Sequence, residues 1–215
     1  MRTIKIHKDW FGIGCNIYKY DELTLEPGLT VLVGCNGSGK STLIHQIKSK
    51  LELENEDMPI YKYDNLKQGG SNAREKYAFN GQFELFSETM NSSEGENIII
   101  NLEQIALELG EFMHKNKDSS EVWILFDAID SGLSIDNVIE IKDFFNAIFE
   151  NKHDKDVYII VSANEYEMVR GEKCLDVNSG NYIQFKNYDK YRSFIIKNRE
   201  IKNKRKYKKN KTGGK

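Results

Sequence analysis

The eight residues Gly34-Cys35-Asn36-Gly37-Ser38-Gly39-Lys40-Ser41 constrain this chain more than any other stretch, because they fit G-x-x-x-x-G-K-S/T in the context that the pattern needs. Before them stands Leu29–Val33, a short apolar run rich in branched residues and stopped by Gly34, which predicts a buried strand. After them, Leu43, Ile44, Ile47 and Leu51 recur at helical spacing from Lys40 onward. The local order is strand, glycine loop, helix. Glycines let successive backbone N–H groups turn inward around phosphate oxygens with no side chain in the way. Lys40 adds a point charge for the β- and γ-phosphates, Ser41 a hydroxyl for Mg²⁺ with Thr42 in support, and the helix N-terminus favours an anion. Gly34, Asn36, Gly37, Ser38, Gly39, Lys40, Ser41 and Thr42 are thus the expected cradle for ATP and Mg²⁺.

Further elements follow from periodicity. Thr3–Lys8 alternates like a half-buried strand, and a second strand ends near Leu25 before the Glu26-Pro27-Gly28 turn. Ile60–Tyr63 is a candidate strand, whereas Gln68–Ala78 is polar, bears glycine and is expected to be irregular. Ile98, Leu102, Ile105, Ala106, Leu109, Phe112 and Met113 share one face of a helix spanning about Glu94 to Lys115. Val122–Phe126 and Val157–Val161 are continuous apolar strands, with an amphipathic helix between them carrying Val138, Ile141, Phe144, Phe145, Ile148 and Phe149. Apolar strands alternating with helices predict an α/β fold whose largely parallel sheet is covered on both faces.

Length and charge set the frame for these elements. At 215 residues the chain is one domain, or one domain with a tail. The net charge of −2 conceals an asymmetry: from Lys197 to the end there are ten Lys or Arg against Glu200 alone, which leaves the body acidic. No run of about 18 apolar residues occurs and the N-terminus lacks the apolar core of a signal peptide, so a cytoplasmic protein without membrane insertion is expected. Cys15, Cys35 and Cys174 form no C-x-x-C pair and are read as free thiols.

An acid at the end of a buried strand is the usual partner of a phosphate loop, and Trp123-Ile124-Leu125-Phe126-Asp127 supplies one. Ser92-Ser93-Glu94-Gly95-Glu96 opens the long helix, and Asp130-Ser131-Gly132-Leu133-Ser134 follows Asp127. With these residues the chain resembles the ATP-binding cassette superfamily, in its soluble, non-transporter branch typified by chromosome-maintenance, DNA-repair and defence ATPases. The resemblance spans about residues 1–185. It implies a P-loop NTPase head with a mainly parallel central sheet, an antiparallel N-terminal β part and flanking helices. Residues 1–196 would be the ATP-binding domain and 197–215 a basic, disordered tail. It further implies a signature motif at Ser93, Gly95 and Glu96 that meets the γ-phosphate held by a second copy, and a D-loop at Asp130–Ser134. A serine cap followed by acids in a first helical turn explains Ser93 and Glu96 as well. Asp127 would hold the Mg²⁺ shell together with Ser41, and Gln68 is a candidate third link to the ion.

Two positions depart from the family's pattern. Ala128 stands where a glutamate normally positions the attacking water, and Asn164 where a switch histidine is usual. Asn164 can hydrogen-bond a phosphate oxygen but bears no charge. Either Ala128 is natural, with Asp130 or Glu94 compensating, or it is a substitution that traps the ATP-bound state; slow hydrolysis is expected in both cases. Lys40, Asp127, Ala128 and Asn164 are therefore the catalytic positions to inspect. An aromatic that stacks on adenine would come from Trp10, Phe11, Tyr18 or Tyr20, and the basic tail with Tyr207 offers contacts to a nucleic-acid backbone unless it is merely solvated. Three functions compete. They are a soluble ATPase or switch that dimerises on MgATP and drives a partner in DNA repair or defence, the nucleotide-binding subunit of a membrane transporter, and a small P-loop kinase.

Overall fold

A computed structural model describes residues 1–10, 12, 16–69, 71–91, 94–150 and 154–212. The chain begins with two short strands, β1 (Arg2–Lys5) and β2 (Glu22–Leu25), which pair antiparallel with Ile4 opposite Leu23. The apolar run before the glycine loop is β3 (Gly28–Val33), and the loop opens directly into α1 (Lys40–Glu54). Next come β4 (Ile60–Asp64), α2 (Asn65–Gln68), α3 (Ser71–Phe79), α4 (Phe83–Asn91) and the long α5 (Glu94–Lys115). Then follow β5 (Glu121–Asp127), α6 (Ile135–Glu150), β6 (Asp156–Ser162), α7 (Tyr166–Val169), β7 (Cys174–Asp176), β8 (Tyr182–Ile183) and α8 (Tyr188–Thr212).

One six-stranded sheet carries the molecule, in the order β4-β5-β6-β3-β7-β8. All neighbours are parallel except β7 and β8, so the fold is α/β with a mainly parallel sheet beside a separate antiparallel pair. Period-two geometry divides each central strand between two cores. Val122, Ile124 and Phe126 of β5 join Val31 and Val33 of β3 on one face, where α5, α6 and α7 cover them with Leu109, Phe145 and Met168. Trp123 and Leu125 point the other way, into a cluster with Leu32, Tyr158 and Ile160 that is closed by Leu43, Ile44 and Ile47 of α1 and by Ile4 and Leu23 of the N-terminal pair. Trp123 and Tyr158 stack there with centroids 4.1 Å apart. Burial on both faces explains why these strands are continuous apolar runs rather than alternating ones.

The strand order positions the site. β6 lies between the strand that feeds the glycine loop and the strand that ends at Asp127, and all three run parallel. Their C-terminal ends therefore open at the same edge of the sheet, the edge at which open α/β sheets bind ligands.

One expectation is corrected. Gln68 closes α2 and residues 71–78 lie in α3, so these are helical rather than irregular, and Ala73 and Tyr77 of α3 are buried at i, i+4 spacing despite the polar composition. α8 runs through residues 196 and 197 to Thr212. Lys and Arg are good helix formers, and the helix is already nucleated and docked by Tyr191 upstream, so a basic composition need not end it. Among the described residues no helix is long and apolar enough to cross a membrane.

Candidate functional site

Steric necessity is written into the glycine loop. A Cβ on Gly34 would meet Ser38 Oγ at 2.5 Å, and one on Gly39 would meet Ile17 Cγ2 at 2.6 Å. Gly39 also has φ +100°, in the left-handed region, and as the N-cap of α1 it offers no side chain to the helix. The first turn of α1 contains no acidic residue, so its unpaired N–H groups face the loop uncompensated. Tyr18, 1% exposed, closes the loop from behind by donating its hydroxyl to the Gly39 carbonyl at 2.8 Å.

Lys40 and Ser41 leave this loop in two directions. The Lys40 ammonium is buried and donates to the Gly34 carbonyl at 2.9 Å, which folds the side chain back across the loop. Burial holds its pKa below the usual lysine value against the opposing pull of Asp130, Cys35 and Asp127. Ser41 Oγ donates to Asp127 Oδ1 at 3.0 Å, joining the start of α1 to the end of β5. The intervening strand contributes as well: Ser162 Oγ donates to the same Asp127 oxygen at 2.7 Å and accepts the Ala128 N–H at 2.7 Å. Asp127 is thus a buried carboxylate held by hydroxyls from two elements, aimed at the mouth of the loop. A hard divalent ion needs few protein ligands where phosphate and water supply the remainder, and a Ser hydroxyl with one carboxylate is a sufficient protein share.

Ala128 is the one non-glycine among the described residues with positive φ, at +56°. The turn after it is closed by Ser131 N–H to the Ala128 carbonyl at 3.1 Å; Ser131 returns to the cleft wall, and Asp130 within the turn is completely buried. Asp130 Oδ2 accepts the N–H groups of Asn164 and Glu165 at 2.7 and 2.8 Å, while Oδ1 has no partner. Burial raises the pKa of this carboxyl above its usual range.

These groups border an open cleft of about 1110 Å³. Of the sequence-derived candidates, Gly34, Asn36, Gly37, Gly39, Lys40, Ser41, Thr42, Asp127, Ala128 and Asn164 line it, and Ser38 is buried just beneath. Gln68 does not line it, since its Oε1 accepts the Asp64 N–H at 2.8 Å. Asp130, a candidate substitute for the missing glutamate, is also withheld by its two amide bonds. Ser93 lies outside the described residues, and Gly95 and Glu96 are placed only as part of the α5 backbone. Phe11 is outside them too. Trp10 packs edge-on against His45, Tyr20 donates to the Val177 carbonyl at 3.1 Å, and neither they nor Tyr18 line the cleft; Ile17 does.

Several lining residues escaped the sequence reading. Ser162 was legible as the one hydroxyl ending an apolar strand. Glu165 is, with Asp127, one of two carboxylate residues that line the cleft among the described residues. Tyr191, Ile195, Arg199, Lys202 and Asn203 come from α8, and Tyr191 donates its hydroxyl to the Asn164 carbonyl at 2.9 Å. Their signal was the helical spacing of Tyr191, Ile195 and Arg199, hidden by the dense positive charge of the rest of the helix. No family model and no curated protein matches this chain.

Proposed function

We propose that the chain binds ATP with Mg²⁺ in this cleft and acts as a slow ATPase or ATP-dependent switch of the P-loop, ATP-binding cassette type. The observation that carries the reading is the Ser41–Asp127 hydrogen bond beside the glycine loop, which brings the two expected metal-shell residues from distant sequence positions to one point. Lys40 and the first-turn N–H groups of α1 then bind the phosphates, and Ser41 and Asp127 hold the ion. The ion, when bound, neutralises charge on the phosphate oxygens. A second copy would complete the site through its Ser93 region and a partner in DNA repair or defence would use the resulting dimer; the transporter subunit is the alternative.

Ala128 leaves no carboxylate at the water-positioning place after Asp127, and Asp130 is tied to two amides. Phosphate release is therefore expected to run ~10²–10⁴-fold below that of Ala128→Glu, the usual range for acid–base assistance. A parent rate equal to that of Ala128→Glu would refute the assignment of position 128. Sizing with and without MgATP tests the dimer: a nucleotide-dependent dimer that Ser93→Arg abolishes supports it, and a monomer under every condition removes it.

A further inference from the structure

α8 does more than pack against the sheet. Tyr191, 7% exposed, anchors it through the Asn164 carbonyl and through ring contacts with Phe185 and Tyr166 at 5.3 and 5.7 Å. Phe194 continues the anchor against Phe185 at 5.2 Å. From that fixed start, Ile195, Arg199 and Lys202 recur at spacings of four, four and three residues, which keeps them on the face that lines the cleft. Lys202 Nζ donates to the Asn36 carbonyl of the glycine loop and lies directly against Gly37.

Three cations, Lys40, Arg199 and Lys202, therefore border one cleft from two unconnected elements, against Asp127 and Glu165. Three cations against two carboxylates leave the cleft with an excess of positive charge, which favours an anionic ligand. Arginine and lysine are the side chains suited to phosphate, the former as a fork of donors and the latter as a point charge.

We propose that Arg199 and Lys202 of α8 bind the outer phosphate of the nucleotide in cis, making α8 a strap that distinguishes a nucleoside triphosphate from a diphosphate. This role rests on the cleft's being a nucleotide site and adds the residues that read the terminal phosphate. α8 thereby supplies counter-charge from the same chain, whatever a second copy contributes.

The test is titration of ATP and of ADP, each with Mg²⁺, into the full chain and three variants. In Arg199→Gln/Lys202→Gln, ATP affinity is expected to fall about 10- to 100-fold, as for the loss of charge-assisted hydrogen bonds, and ADP affinity by much less. Both substitutions keep a long, helix-compatible side chain at sites not buried in the core. Lys197→Gln/Lys204→Gln removes the same charge from α8 residues that do not line the cleft and should leave both affinities unchanged. Equal losses in the two double variants would reduce the effect to general electrostatics and overturn the proposal. So would an unchanged or tightened ATP affinity in Arg199→Gln/Lys202→Gln, the latter marking α8 as a plug. Lys40→Ala separates the two levels: if it weakens binding while the α8 variant does not, only the strap is lost. If the parent binds neither nucleotide, the nucleotide reading fails and takes the strap with it.

Discussion

Asp127 owes its place to hydroxyls from two other elements, Ser41 at 3.0 Å and Ser162 at 2.7 Å. Ser162 has a second duty, accepting the N–H of Ala128, whose left-handed backbone it helps to hold. Ser162→Ala would leave that buried N–H unpaired and take from the carboxylate one of its two hydroxyl donors, so a loss of about 1–3 kcal/mol is expected in chemical denaturation. A loss below about 0.5 kcal/mol would mean that the bridge across β6 does not stabilise the turn. Asp130 gives a pH-dependent counterpart. It faces Lys40 and Glu165, and burial raises its pKa in the folded protein, so the native state holds the proton more tightly than the unfolded chain. Stability therefore falls as pH rises from the ordinary carboxylate range through the raised native value. Asn at 130 keeps an oxygen for the two amides but removes the titration, so the stability of Asp130→Asn relative to the parent should improve from about pH 4 to about pH 7. Urea midpoints at the two pH values measure it, and a constant or reversed difference contradicts the assignment.

At the scale of elements, the central strands and the helices that cover them were legible because burial on both faces leaves long apolar runs and burial on one face leaves a helical period. Phe145 of α6 illustrates how firmly the layers depend on each other, stacking on Phe126 of β5 with centroids 5.3 Å apart and no exposure. Phe145→Ala is expected to cost about 3–5 kcal/mol. Thermal or denaturant unfolding decides this, and a cost under about 1 kcal/mol would show that the α6 layer is only loosely packed. Several of the elements that escaped share one physical trait, that few of their residues need to be apolar. β7 and β8 have three and two residues, too short for a period to register. α3 buries Ala73 and Tyr77 within an otherwise polar sequence, and α8 buries Tyr191 near its start before becoming a run of lysines. Tertiary docking of a few side chains, rather than an amphipathic pattern, makes these segments helical.

For the whole molecule, parallel topology converts three separate sequence features into one place. The loop after β3, Asp127 at the end of β5 and Asn164 after β6 are far apart in the chain, yet all border the same cleft. The loop itself was readable because its glycines are required by local sterics, as Gly34 and Gly39 show. The cleft wall formed by α8 was hidden, since the dense positive charge of the helix masks the spacing of Tyr191, Ile195 and Arg199, and nothing in a lysine-rich run marks Lys202 as the residue that reaches the loop. Every functional role proposed for these residues depends on the cleft's taking a nucleotide. Titrating ATP with Mg²⁺ into the parent and into Lys40→Ala, both checked for the same far-UV circular dichroism, measures it most directly. Saturable binding by the parent, weakened about 10- to 100-fold in Lys40→Ala, is the predicted result; no binding by the parent, or equal affinity in both chains, would contradict it.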